Sequence, residues 1–323
     1  MNNAYYILAK EAVPIERLHI CTWEFPNANS YIEFEMKRGQ EIFGIGVIDV
    51  ENHDCYCIPL SAVLTPDTKS LEEMYYNLVE WYCQNLIVLK EKLQKISRLI
   101  VADAFFSKET FVNPLFKEGF HVISRLRNGA VLFYPTLQEP TGKRGHPMWY
   151  DGKVDFSNLD ISRCEEIEVD KGRLFGLKAY SKSLKRFIKV AVWYPNEADM
   201  AKWQIYFSTD ESMSTKDVIN CYRTRFQLES CFRDAKHYAG LNVCQSTDLR
   251  KLEFHRNASF ASINIAKAAC KELEILFSIS SCKSIIHNAY MLNRFICVSG
   301  LQPDPQFIDK LFKELVLFTA RVA

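Results

Sequence analysis

Apolar residues recur at steps of three and four from Leu71 through Met74, Tyr75, Leu78, Tyr82, Leu86, Leu89 and Leu93 to Ile96. That period predicts one long helix, opened by the capping box of Ser70 and Glu73, with an apolar stripe that packs on a sheet. Ahead of it, Glu41 to Leu60 holds two β-rich runs around the turn-prone Glu51 to Asp54, the pattern of an antiparallel hairpin. After it, Leu99 to Ala102 is a short continuous apolar strand ending on Asp103. A helix from about Lys108 to Glu118, closed by Gly119, and a strand from His121 to Arg127 complete a βαβ unit.

The period changes beyond that point. Gly142 to Gly145 and Gly152 mark loops, and Arg163 to Asp210 is strand-rich, with FIKVAVWY at Phe187 to Tyr194 and WQIYFSTD at Trp203 to Asp210. This predicts a β-rich insertion within an α/β domain. Ser214 is a suitable N-cap for helical sequence running to about Tyr238, and further helices are expected from Glu253 to Phe277 and from Pro305 onward.

Composition adds bounds. With 323 residues, 48% of them hydrophobic, the chain can bury a large core. The formal net charge of +1 leaves no global attraction for nucleic acid, so any such contact has to come from local patches. One patch is evident: Lys171, Arg173, Lys178, Lys182, Lys185, Arg186 and Lys189 fall in a stretch without an acidic residue. It reads equally as a solvated strand face. The eleven cysteines include no CxxC pair, and Cys55 and Cys57 would share one strand face, so a disulfide framework or zinc site is not expected. The apolar run Ala4 to Ala9 ends at Lys10, too short for a signal-peptide core or a membrane span, which points to a soluble cytoplasmic protein.

Candidate chemistry concentrates in YRTRFQLESCFRDAKHY, Tyr222 to Tyr238. On a continuous helix, Tyr222, Arg225, Glu229 and Lys236 fall within about 60° of one another. The stripe then carries a phenol, a guanidinium, a carboxylate and an ammonium, groups that suit a metal ion and a phosphodiester backbone. An exposed helix face laced with i,i+3 and i,i+4 pairs is the plainer alternative. For Asp103 the plainer alternative is a turn or helix-start aspartate.

The spacing Tyr, two residues, Arg, three residues, Glu, six residues, Lys resembles the signature of bacterial DDE transposases of the insertion-sequence-four type. Arg233 to Lys236, Gly240-Leu241-Asn242, Cys244-Gln245 and the run Phe254 to Ser259 resemble the stretch that follows it. Val101 to Lys108 resembles the strand end bearing the second catalytic aspartate, and Val122 to Asn128 with Thr141 to Gly145 fit the same family. The resemblance covers roughly residues 40 to 275. It implies a ribonuclease-H-like mixed sheet flanked by helices, with the β-rich insertion between the second Asp and the Glu. The implied organisation is a divergent or truncated segment over 1–38, the first part of the core over 39–128, the insertion over 129–210, the second part of the core with the Glu helix over 211–280, and a C-terminal helical segment over 281–323.

The resemblance further implies metal-dependent strand cleavage and transfer in cut-and-paste transposition, with Asp103 and Glu229 as catalytic carboxylates and ligands for Mg2+, for which Mn2+ can substitute. Tyr222, Arg225 and Lys236 become DNA contacts. Double-stranded DNA, as transposon ends and target, becomes the partner, a homodimer the assembly and the bacterial nucleoid the location. Trp149, Trp193 and Trp203 become candidates for stacking on a flipped base, with core packing the favoured reading for each. The first aspartate of the triad has no counterpart: residues 1–48 contain none, although Glu11, Glu16, Glu24, Glu33 and Glu35 lie there, and Asp49 reads as a strand-end residue. A remnant that binds DNA without cleaving it is therefore the alternative function. An unrelated α/β protein with coincidental spacing would hold Asp103 and Glu229 far apart.

Overall fold

The computed structural model describes residues 4–14, 39–49, 57–137, 149–196, 200–272, 274 and 276–320. The chain divides into two compact units, one of residues 1–11 and 41–229, the other of 12–40 and 230–323.

The first unit is built on one mixed sheet. Its strands in chain order are β1 (Ala4–Pro14), β2 (Gly39–Asp49), β3 (Cys57–Leu64), β4 (Leu99–Ala102), β5 (His121–Leu126), β6 (Leu132–Pro135), β7 (Tyr150–Lys153), β8 (Glu165–Ile167), β9 (Arg173–Ser181), β10 (Arg186–Tyr194) and β11 (Gln204–Ser208). Across the sheet they run β3-β2-β1-β4-β5-β11-β10-β9-β6-β7, with β8 paired to β9. β4 lies between two parallel neighbours: Tyr6, Ile7 and Leu8 of β1 pair with Ile100, Val101 and Ala102, and β5 pairs on the other side. Ile100, Val101 and Ala102 are fully buried, as a strand covered on both faces requires. The expected hairpin is β2 with β3, antiparallel, though its turn lies outside the described residues, as do Cys55 and Thr141 to Gly145. The expected βαβ unit is present, its helix falling at Glu109–Lys117 and closed by Gly119 at φ 83°. The strand-rich stretch, β6 to β11, continues the same sheet beyond β5. Gly152, expected in a loop, instead lies within β7 at φ 51°.

The single helix expected from Ser70 to Ile96 is three: α1 (Thr68–Glu73), α2 (Leu78–Val88) and α3 (Lys90–Leu93). The cap of α1 is Asp67, not Ser70: its carboxylate accepts from the Ser70 N–H at 2.7 Å. Tyr75 then takes a left-handed φ of 57°, and Asn77 restarts the helix with a complete capping box. Asn77 Oδ1 accepts from the N–H groups of Val79 and Glu80 at 3.0 Å, and the Asn77 N–H donates to Glu80 at 3.2 Å. Met74, Tyr75 and Tyr76 are exposed, so the apolar period overshot the buried stripe by one turn. Replacing Asn77 by Ala is expected to cost about 1 kcal/mol, read as a shift in the urea unfolding midpoint with an unchanged slope.

Beneath these helices lies an aromatic core. Phe43 packs on Tyr82 at 4.6 Å, Tyr82 on Phe106 at 5.5 Å, and Phe106 on Phe111 of α4 (Glu109–Lys117) at 4.8 Å between ring centroids. All four rings are fully buried. Phe106 stands three residues after Asp103, so this core anchors the chain that leaves β4.

α5 (Thr215–Arg223) starts at the expected cap, Ser214, which accepts from the Asp217 N–H at 3.1 Å. The helix does not continue to Tyr238. It stops at Thr224, whose hydroxyl donates to the Cys221 carbonyl at 2.7 Å, and α6 (Phe226–His237) follows after a tight turn. The boundary between the two units falls inside α6, after Glu229.

Apart from the strand ends 12–14 and 39–40, the second unit is helical as far as it is described. It holds the remainder of α6, then α7 (Leu249–Glu272), α8 (Ile279–Ser299) and α9 (Pro305–Ala320). α8, which no period announced, ends on Gly300 at φ 69°. Phe232 meets Phe260 edge-on at 5.1 Å, and the Ser259 hydroxyl donates to the Ala239 carbonyl at 2.8 Å. The described cysteines are free thiols. No helix among the described residues is long and apolar enough to cross a membrane.

Candidate functional site

Asp103 sits where β4 ends, the position at which open α/β sheets present chemistry. The backbone there is pinned from β5 by the buried Ser124, whose hydroxyl donates to the Asp103 carbonyl at 3.0 Å. Asp103 is formally the N-cap of a 3-10 turn, Ala104–Phe106, yet its carboxylate makes no capping hydrogen bond. Other turn aspartates behave differently. Asp155, Asp160 and Asp210 each accept from the backbone N–H two residues on, at 3.0 to 3.1 Å. A turn residue alone does not account for Asp103.

What faces that carboxylate comes from α5 and the turn after it. The Tyr222 hydroxyl donates to Asp103 Oδ1 at a long 3.5 Å, and the Arg225 Nε stands 3.8 Å from the same oxygen. A second guanidinium nitrogen of Arg225 donates to Glu229 on α6. Asp103 and Glu229 thus meet the same guanidinium from opposite sides of the sequence. Their side chains are 45% and 49% exposed, against 22% for Arg225, so both carboxylates are more open to a solute than the cation they share. Burial disfavours the charge on Arg225, but the carboxylates of Glu229 and Asp103 outweigh it and hold its pKa above the ordinary value. Burial also raises the Tyr222 pKa, against the opposing charge of Arg225.

Two glycines seat these helices. A Cβ on Gly176 of β9 would come within 2.0 Å of Thr215 Oγ1 in the first turn of α5. One on Gly46 of β2 would lie 2.2 Å from Cys57 Sγ and 3.2 Å from Leu228, the neighbour of Glu229. Close approach of α5 to the sheet at Gly176 requires a residue without a side chain, whereas at Gly46 the main obstacle is Cys57 of the neighbouring strand.

The expected stripe is therefore only partly right. Tyr222, Arg225, Glu229 and Asp103 are brought together, but the turn at Thr224 and Arg225 interrupts the helix that was to align them. Lys236 lies seven residues further along α6, within the second unit. Sequence reasoning missed Tyr206, Arg125 and Arg223. The Tyr206 ring packs on Tyr222 in a tilted arrangement, 5.0 Å between centroids, and its register partner on β5 is Arg125. Burial raises the Tyr206 pKa and the charges of Arg125 and Arg223 oppose that rise. The signal was available: in β11, Ile205 and Phe207 join the main core while Tyr206 alternates to the other face.

The family model described as the transposase DDE domain matches residues 53–265, well over half of the chain. The chain belongs to the transposase DDE domain family. No curated protein matches it significantly. The matched stretch of this transposase domain contains Asp103, Tyr222, Arg225, Glu229 and Lys236, and β1 and β2 precede it.

The basic run and the tryptophans, the other candidate DNA contacts, have partners within the folded transposase domain. The run of basic residues is met by acidic partners from elsewhere: Arg173 by Glu166 at 2.9 Å, Lys178 by Glu211 at 2.5 Å, Lys185 by Glu109 at 2.9 Å and Lys189 by Glu165 at 3.6 Å. Arg186 lies 3.5 Å over the Phe116 ring. Of the tryptophans, Trp203 stacks on Phe156 at 6.1 Å against the core, and the Trp193 N–H donates to the Lys171 carbonyl at 3.1 Å. Trp149 is 58% exposed.

Proposed function

We propose that this chain is the catalytic domain of a cut-and-paste DNA transposase of the insertion-sequence-four type, cleaving and joining DNA strands with Asp103 and Glu229. The observation that carries this reading is the convergence of those two carboxylates, from the end of β4 and from α6, on the single guanidinium of Arg225. An unrelated protein with coincidental spacing would have no reason to bring them together.

The donor set suits a hard divalent cation. Both groups are carboxylates, half exposed, and already share a positive charge, so Mg2+ or Mn2+ fits without any nitrogen or sulfur ligand. Asp103 and Glu229 would hold it, and when bound it supplies an activated water or 3′-hydroxyl and stabilises the leaving oxygen. Among the described residues no group of three acidic, His or Cys side chains gathers as a metal site.

The chain's own residues bind and orient the DNA strand. Ser124 holds the Asp103 backbone, and Tyr222 with Arg225 is placed to take a phosphate beside the carboxylates. Lys236, matched by the same family signature, would be a further DNA contact. β6 to β11 correspond to the family's insertion, where Trp149 is the tryptophan open to a base. The basic run contributes less than its sequence suggests, because four of its members are paired.

The test is nicking of supercoiled plasmid by the purified chain in Mg2+ and then Mn2+, beside salt-dependent binding to a DNA duplex. Metal-dependent nicking supports the reading. Binding without nicking at any metal concentration would mean the remnant that grips DNA and has no chemistry.

A further inference from the structure

Arg225 occupies an unusual place for a residue whose role is to hold DNA. Its guanidinium lies between the two carboxylates, bonded to Glu229 and 3.8 Å from Asp103, while the Nε atom is buried and makes no hydrogen bond. This is not the two-pronged pairing that guanidinium and carboxylate adopt when a salt bridge is built for stability. The Arg225–Glu229 pair is half open to water, and such i,i+4 pairs contribute little to folding. The position of the side chain instead answers an electrostatic need. Two carboxylates held side by side repel each other unless a cation lies between them.

We propose that Arg225 is the resident counter-ion of the site and competes with the divalent cation, so that it must release Glu229 before an ion can join the two carboxylates. The inference rests on the reading of Asp103 and Glu229 as metal ligands. A dication bound between Asp103 and Glu229 would stand within a few ångströms of the guanidinium, and two positive charges at that distance repel strongly where water is partly excluded. Arg225 therefore sets the metal concentration at which the site fills. Once displaced from Glu229, it is free to turn to a phosphate, the other anion it suits.

The experiment is Mn2+ binding to the purified full chain, read by the electron paramagnetic resonance signal of free Mn2+, for the wild type and for Arg225→Gln, Arg225→Lys, Asp103→Asn and Glu229→Gln. Arg225→Gln should bind Mn2+ about tenfold more tightly than the wild type. Arg225→Lys, a point charge unable to bridge both carboxylates, should fall between them. Without metal, Arg225→Gln should melt below the wild type and gain more from added Mn2+. If Arg225→Gln does not fold by circular dichroism, Arg225→Lys carries the comparison. Equal or weaker Mn2+ binding in folded Arg225 variants would overturn the inference, while loss of binding in Asp103→Asn and Glu229→Gln would leave the metal reading standing. Unchanged binding in the two carboxylate variants would remove both.

Discussion

Glu229→Gln is expected to lower metal-dependent strand cleavage by about a thousandfold or more, with the thermal midpoint almost unmoved. The amide keeps the shape of the side chain and can still accept from Arg225, but it carries no charge with which to hold a divalent cation. A thousandfold is ~4 kcal/mol of barrier, within what a catalytic metal supplies through charge stabilisation. Stability should change by less than about 1 kcal/mol, because the Arg225–Glu229 pair is exposed on one side. Asp103→Asn should behave alike. Single-turnover nicking rates beside urea melts separate the two effects. Cleavage by Glu229→Gln within tenfold of the wild type would remove Glu229 from the chemistry.

Gly176→Val should fail for a different reason. A Cβ at that point meets Thr215 Oγ1 at 2.0 Å and its Cβ at 3.0 Å, and the first turn of α5 has to lift from the sheet to admit it. Overpacking of this kind costs about 1–3 kcal/mol, which for a unit of this size lowers the melting midpoint by roughly 2–12 °C. Because α5 carries Tyr222, nicking should fall further than the lost stability explains. Gly129→Ala is the control: nothing lies within 4 Å of the added carbon, and neither quantity should move. A Gly176→Val chain with wild-type melting would mean that α5 is not seated as described.

The parts of this molecule that were legible in the sequence are those written in short-range periodicity. β4 was legible because Leu99 to Ala102 is apolar without interruption and the chain around it alternates strand, helix, strand. The helix interruptions were not, because each turns on one side chain choosing a local partner: Asn77 caps α2 in preference to a continuous helix, and the Thr224 hydroxyl takes the Cys221 carbonyl. Tyr222, Arg225 and Glu229 come together although the helical phase used to align them was wrong. They meet through the fold, with Asp103 brought in from 119 residues away from Tyr222. The ion-pair partners of the basic run were not legible for the converse reason. Lys178 and Lys185 find Glu211 and Glu109 across the fold, and a charge window on the sequence contains no trace of either. Arg125 and Tyr206 become neighbours only once the β5–β11 register is known.

The unused capping position of Asp103 has a consequence for how this domain loses activity over time. An aspartate that accepts no backbone N–H contributes little to folding, and its carboxylate raises repulsion with Glu229 that Arg225 has to offset. Selection for a stable, well-expressed chain therefore does not protect it, and replacement by a neutral residue is expected to leave the melting midpoint unchanged or higher. Copies of this domain drifting without selection for cleavage can shed Asp103 at the cost of only its long contacts with Tyr222 and Arg225, while Gly176 stays fixed by its packing on Thr215.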